Sequence, residues 1–231
     1  MTDQRTHFHH ELDALEQKLL GVVARVTGMI GKAVEAVTTG NLELAQEVIA
    51  ADDEIDRTYL DIHNAWVNLM ARQQPMGSDL RRMAVILQLN MTFERMGDQC
   101  VNIAHTTEYT QGLPRDARIV EQIQEMGELV KPMISTAVEA YVREDLDEAL
   151  LLPAMDEPLD RLNRNMYRLV VDAGPDPERL EWAIKMMLVS RALERIGDQV
   201  VDLAEQTVYL LTGERAEFDE AALVGSDDGE E

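Results

Sequence analysis

Apolar residues return at three- and four-residue steps along nearly the whole chain, and each unbroken stretch of that pattern predicts a long amphipathic helix. The first covers about Phe8 to Val37, with Leu12, Leu15, Leu19, Val22, Val26, Met29, Ala33 and Ala36 or Val37 on one stripe, and Gly40-Asn41 closes it. From Leu42 to Arg72 a second stripe carries Leu44, Val48, Ile55, Tyr59, Ile62, Trp66 and Leu69, before Pro75 and Gly77 mark a turn. Ser78 or Asp79 is placed to cap a third helix that runs to about Thr110, where Gly112-Leu113-Pro114 stops it. The order then repeats: about Asp116 to Arg143, Leu146 to Asp172, a break at Gly174-Pro175, and a last helix to about Thr212. Pro132, Pro153 and Pro158 fall inside these stretches and predict a kink or a break at each. No segment alternates with the period of two that a strand requires, so the fold class is all-α.

The repetition extends to single residues. Glu94-Arg95-Met96-Gly97-Asp98-Gln99 returns as Glu194-Arg195-Ile196-Gly197-Asp198-Gln199 at an offset of 100, and Pro75, Leu80, Val101, Ala104, Thr107 and Tyr109 recur at that offset. Upstream the offset is 104: Leu42, Ala45, Asp52, Asp56 and Arg57 match Leu146, Ala149, Asp156, Asp160 and Arg161. The four-residue difference must lie near a connection, where length changes are tolerated. The chain therefore divides into two similar three-helix units, residues 1–112 and 113–213. Residues 214–231 form a tail with one basic residue against eight acids, expected to be mobile.

With 4% aromatics, packing falls to Leu, Val, Ile, Ala and 13 Met, which suits interdigitating helices. One cysteine, Cys100, cannot form an internal disulfide. With no recognisable signal segment, it points to a reducing cytoplasm. No apolar run approaches the roughly 18 residues that span a bilayer, so direct membrane insertion is not expected. The net charge of -23 opposes a nucleic-acid phosphate backbone and suits cations or a basic partner surface.

The acids themselves carry the candidate chemistry. Glu94 with Asp98, and Glu194 with Asp198, are four apart and share a helix face, roughly 40° apart in azimuth. Asp52 with Asp56, and Asp156 with Asp160, repeat the spacing on the preceding helix. If these neighbours pack antiparallel, four carboxylates converge in each half. Such a cluster raises its members' pKa values unless a multivalent cation offsets the charge. The same spacing also fits a solvated face supported by Arg95, Arg191 and Arg195. Two features weigh against that: the Glu residues lie on stripes with Leu87 and Val101, or Met187 and Val201, and Gly97 and Gly197 sit inside helices. A helical Gly costs about 1 kcal/mol relative to Ala, so close helix approach or room for an ion should compensate.

Oxygen donors without His or Cys favour Mg, Mn, Ca or iron over a structural zinc site, although carboxylates can accept zinc. His63 and His105 lie near the stripes, but Tyr167 and Glu205 stand at their counterparts, which makes a hydrogen-bonded or exposed imidazole the default. The Glu-x-x-His signature of di-iron bundles, a Ser-His-Asp arrangement and a phosphate-cradling glycine loop are all missing, which argues against an enzyme. A carboxylate-bridged metalloenzyme and a metal-independent helical adaptor are the competing readings.

The two hexapeptides, together with the Arg72-Gln73-Gln74-Pro75-Met76-Gly77-Ser78-Asp79-Leu80-Arg81 stretch, resemble the PhoU family of phosphate-specific transport accessory proteins, over about residues 8–212. The second-half opening, Gly174-Pro175-Asp176-Pro177, departs from that wording. The resemblance implies two similar three-helix bundles, often as a homodimer, with metal ions (Mg, Mn, Fe or Zn) held by the acidic motifs. Glu94, Asp98, Glu194 and Asp198 carry over by motif, and Asp52, Asp56, Asp156 and Asp160 through the acidic positions of the preceding helix. It further implies negative regulation of phosphate uptake and starvation signalling. The implied partners are the ATPase subunit of the Pst ABC transporter and a PhoR-like sensor kinase, met at the inner face of the membrane.

Overall fold

The computed structural model describes residues 2–216 and residue 218, with side chains from Arg5 onward. Seven helices follow in chain order: α1 Thr2–Thr39, α2 Leu42–Gln73, α3 Ser78–Tyr109, α4 Ala117–Arg143, α5 Leu146–Ala149, α6 Leu152–Asp172 and α7 Pro177–Thr212. No strand occurs among the described residues. Most of the acidic segment 214–231 lies outside them.

The stripes read from the sequence are the buried faces. Leu12, Leu15, Leu19, Val22, Val26, Met29, Ala33, Ala36 and Val37 of α1 are all buried, as are Val48, Ile55, Ile62 and Leu69 of α2. Each such Leu, Ile or Val withdraws a side chain whose full burial is favourable by about 1.5–3 kcal/mol. Helix starts are set by side chains that accept from otherwise unpaired first-turn amides: Asn41 from Leu44 N at 3.1 Å, Asp116 from Arg118 N at 2.9 Å and Asp176 from Glu178 N at 3.1 Å.

One expectation needs correction. Ser78 and Asp79 do not cap α3; Gly77 occupies that position at φ 62 with no side-chain cap. Asp79 instead faces His9 of α1 at 3.4 Å. At Pro153 the expected interruption is a break that divides Leu146–Asp172 into two helices, because Pro153 lies in the first turn of α6 and lacks the amide that would join it to α5. Its counterpart in the first half is Ile49, so α2 runs unbroken. Pro132 and Pro158 are accommodated within α4 and α6, which continue through them.

Helices α1, α2 and α3 pack on one another, and α4, α6 and α7 form the second bundle, with α5 against α4 and α7. The halves join where α3 lies along α7 and α1 meets α4. The central pair is duplicated in its packing too: Phe93, Met96 and Ile103 of α3, and Leu193, Ile196 and Leu203 of α7, are all buried. A polar anchor crosses the halves. Glu16 of α1 is buried and accepts two hydrogen bonds from Arg82 of α3, at 2.6 and 2.5 Å, and one at 2.8 Å from the Tyr141 hydroxyl of α4.

Candidate metal centres

The carboxylates meet where α2 packs on α3 and where α6 packs on α7. The missing Cβ of each motif glycine is what permits the approach. A Cβ built on Gly97 would lie 2.7 Å from Asp52 Oδ1, and one on Gly197 would lie 2.5 Å from Asp156 Oδ1 and closer still to Leu159 Cδ2. The Gly in ERxGDQ thus admits the aspartate of the facing helix, which is the close approach expected to compensate a helical glycine.

In the second half the site is tight. One carboxylate oxygen from each of Asp156, Asp160 and Asp198 lies within 4.8 Å of the others, the only such three-acid group among the described residues. Asp156 is buried, Asp160 half-buried and Asp198 exposed, so the trio runs from the helix interface to solvent. Glu194 is buried beside it, with one oxygen accepting from Arg191 Nη1 while Oε2 is buried with no hydrogen-bond partner. Burial first, and then the neighbouring Asp198, push Glu194 up to about 7. A cavity of about 510 Å³ opens over the cluster, lined by Asp156, Asp160 and Asp198 together with Asp202, Glu205 and Arg164.

The first half is a looser version. Asp52, half-buried, is pushed up to about 6 by burial and then by Asp56, Asp98 and Glu94, and its Oδ1 has no hydrogen-bond partner. Glu94 is raised by burial and by Asp98 and Asp56, and Asp98 by burial and Asp56. All four predicted acids of this half feel one another, but they form no trio as close as that of the second half among the described residues.

Asp202 was not among the acids selected from sequence. It extends Glu194 and Asp198 by a further four residues along the same face, a spacing that could have revealed it, and burial and Asp198 raise its pKa. Its counterpart is Asn102, which is why a search for duplicated acids passes over it. Among the described residues, neither His63 nor His105 joins a cluster of the kind formed by the three aspartates. His105 Nδ1 lies 3.2 Å from Glu108 on its own helix, and the His63 ring lies 6.2 Å from that of Tyr59.

The donor set fits a hard cation. A buried carboxylate oxygen without a donor is costly, and ionised neighbours add repulsion; a divalent or trivalent cation relieves both and takes oxygen ligands in this number. The second half would use Asp156, Asp160 and Asp198 with Glu194 adjacent, and the first Asp52, Asp56, Glu94 and Asp98.

A family model described as the PhoU domain matches the chain twice, at residues 19–107 and 123–207. The chain is 30% identical over 218 residues to the phosphate-specific transport system accessory protein PhoU homolog of Clostridium acetobutylicum, covering 94% of this chain and 99% of that protein. The PhoU homolog of Aquifex aeolicus is 33% identical over 205 residues, 88% of this chain and 92% of that one. Among solved structures, PhoU from Pseudomonas aeruginosa superposes with a TM-score of 0.83 at 30% identity, covering 90% of this chain and all of that one. The phosphate transport system regulatory protein PhoU from Streptococcus pneumoniae gives 0.82 at 27% identity, over 91% and 99%.

Proposed function

The chain belongs to the PhoU family, and from that membership we propose that it is a negative regulator of phosphate uptake and phosphate-starvation signalling. It acts as an accessory to the phosphate-specific transport system. In this reading it engages the transporter's ATPase subunit and a two-component sensor kinase as a cytoplasmic homodimer held to the membrane through these partners. No described helix is long and apolar enough to cross a membrane, in keeping with a peripheral attachment.

The observation that carries the regulatory mechanism is the burial of carboxylate oxygens, Asp52 Oδ1 and Glu194 Oε2, without donors at the two helix interfaces. Bound there, Mg, Mn, Fe or Zn supplies charge neutralisation and bridging between helices. Asp52 and Asp56 on α2 oppose Glu94 and Asp98 on α3, and Asp156 and Asp160 on α6 oppose Glu194 and Asp198 on α7. A cation held across either pair would fix the mutual position of its two helices and with it the exposed surface offered to a partner. The role is not catalytic: Glu194 and Asp52 would hold the cation as carboxylate ligands.

Thermal unfolding of chelator-stripped protein, followed by addition of each cation, tests the site directly, since a ligand of the native state raises the midpoint. Pull-down of the ATPase subunit by wild type and by the D98N/D198N double variant then separates this mechanism from a metal-independent adaptor. The adaptor predicts no thermal shift and unchanged capture. In the native host, deletion is expected to leave starvation genes on in ample phosphate, and normal repression would overturn the regulatory assignment.

A further inference from the structure

We propose that the groove between α3 and α7, outside the carboxylate clusters, binds an extended phosphoryl ligand, one carrying two or more linked phosphate groups. The groove holds about 340 Å³ and gathers Lys185, Arg191 and Arg195 from α7 opposite Gln99, Asn102 and Tyr109 of α3. A protein with 44 acids and 21 basic residues has here three cations lining one cavity and no Asp or Glu in its lining.

The duplication shows that this concentration is specific to one side. At the equivalent positions on the other side of the central helix pair stand Val85, Met91 and Arg95, and Asp202 replaces Asn102. Arg95 there feels the charges of Glu94 and Asp202, whereas Arg195 feels that of Glu194 and lines the groove together with the neutral amide of Asn102. Among the described residues Lys185 and Arg195 form no ion pair; Lys185 Nζ lies 5.4 Å from the centre of the Tyr109 ring, and Arg191 bonds Glu194 on its own helix. Glu194 offsets part of this charge from behind Arg191 and Arg195, but one carboxylate against three cations leaves a net positive groove that an anion among them neutralises. The distant acids do not forbid it, because charges separated by more than about 8 Å are largely screened at physiological ionic strength.

Shape selects among anions. Lys185 and Arg195 are ten residues apart, about 15 Å along the helix at a rise of ~1.5 Å per residue. That row is longer than one phosphate group, whereas linked phosphates can meet successive cations, with Arg forks taking two oxygens each and the Gln99 and Asn102 amides donating beside them. Arg191 also ties the groove to Glu194, since whatever removes that carboxylate releases a guanidinium for the ligand.

Calorimetric titration of the full chain, stripped of metal and in magnesium-free buffer with 150 mM KCl, tests this with orthophosphate, pyrophosphate, inorganic triphosphate and ATP. Stripping the metal keeps cation-held phosphate out of the measurement, so a failure here leaves the carboxylate sites untouched. Saturable binding is expected for pyrophosphate and triphosphate, at least tenfold tighter than for orthophosphate. R195Q and K185Q should each weaken it at least tenfold, E194Q should tighten it, and R95Q at the equivalent position of α3 should leave it unchanged. ATP binding as tightly as triphosphate identifies a nucleotide ligand; triphosphate alone identifies an inorganic chain. The proposal fails if none of the four binds saturably, if orthophosphate matches pyrophosphate, if R95Q weakens binding as much as R195Q, or if E194Q does not tighten it.

Discussion

Alanine at Gly197 is expected to destabilise the protein, although Gly to Ala inside a helix ordinarily stabilises it. The helical preference of Ala favours the variant by about 1 kcal/mol. Against this, the new methyl would sit 2.5 Å from Asp156 Oδ1 and in overlap with Leu159 Cδ2, and Leu159 is fully buried, so its displacement must disturb the core around it. Overpacking of this kind costs about 1–3 kcal/mol, so the net loss is about 0–2 kcal/mol. Gly21 and Gly28 on the exposed face of α1 have nothing within 4 Å of a built Cβ, and their Ala variants should gain about 0.5–1 kcal/mol. Urea denaturation followed by circular dichroism measures all three, with the midpoint moving and the slope unchanged if only stability changes. G197A should also push Asp156 away from Asp160 and Asp198 and shrink the thermal shift produced by added cation. A G197A protein that gains as much stability as G28A, and keeps the full cation shift, would falsify the account of why this helix carries glycine.

Asp52 and Glu194 have folded pKa values above their ordinary ones, so the native state binds more protons than the unfolded chain between about 3.8 and 6 for Asp52 and between about 4.5 and 7 for Glu194. Metal-free protein should therefore become more stable as pH falls from 8 toward 5, and D52N and E194Q should flatten that slope; a melting midpoint that drops over this range would contradict the burial argument. Removing Arg82 as R82M leaves the buried Glu16 carboxylate with only the Tyr141 hydroxyl and should cost about 3 kcal/mol, while Y141F loses one hydrogen bond to a charged group and should cost about 1.5–3 kcal/mol. Equal stability of wild type and R82M in urea would mean that this anchor does not hold the halves together. Cys100 is fully buried and burial raises its thiol pKa, so Ellman's reagent should react only after unfolding.

The helices were legible because their evidence is local. Leu12 to Val37 repeat with the period of one helix face, and Gly40, Gly112, Gly174 and Gly213 stand at positive φ where the chain must turn. The α5–α6 break was half legible. Pro153 announced an interruption, but its place was settled by how the first turn of α6 formed around it. The start of α3 was not legible: Gly77 takes the cap position, and Asp79 faces His9 on another helix, a contact that no local pattern contains.

From spacing, the sequence determined two long helix pairs, each bearing acids four residues apart, because i and i+4 share a face whatever the helix packs against. It also placed Gly97 and Gly197 beside those acids without saying what they face. Only the tertiary structure decided that Asp52 and Asp156 press against these glycines, that the second half closes into a tight trio while the first stays open, and that Asp202 belongs to the larger cluster. It likewise decided that Lys185, Arg191 and Arg195, scattered through an acidic chain, line one groove. The physical reason is the same throughout. The face a residue occupies is fixed by local backbone geometry, whereas the distance to a group on another helix depends on where the two helices cross, which the packing of the buried side chains sets.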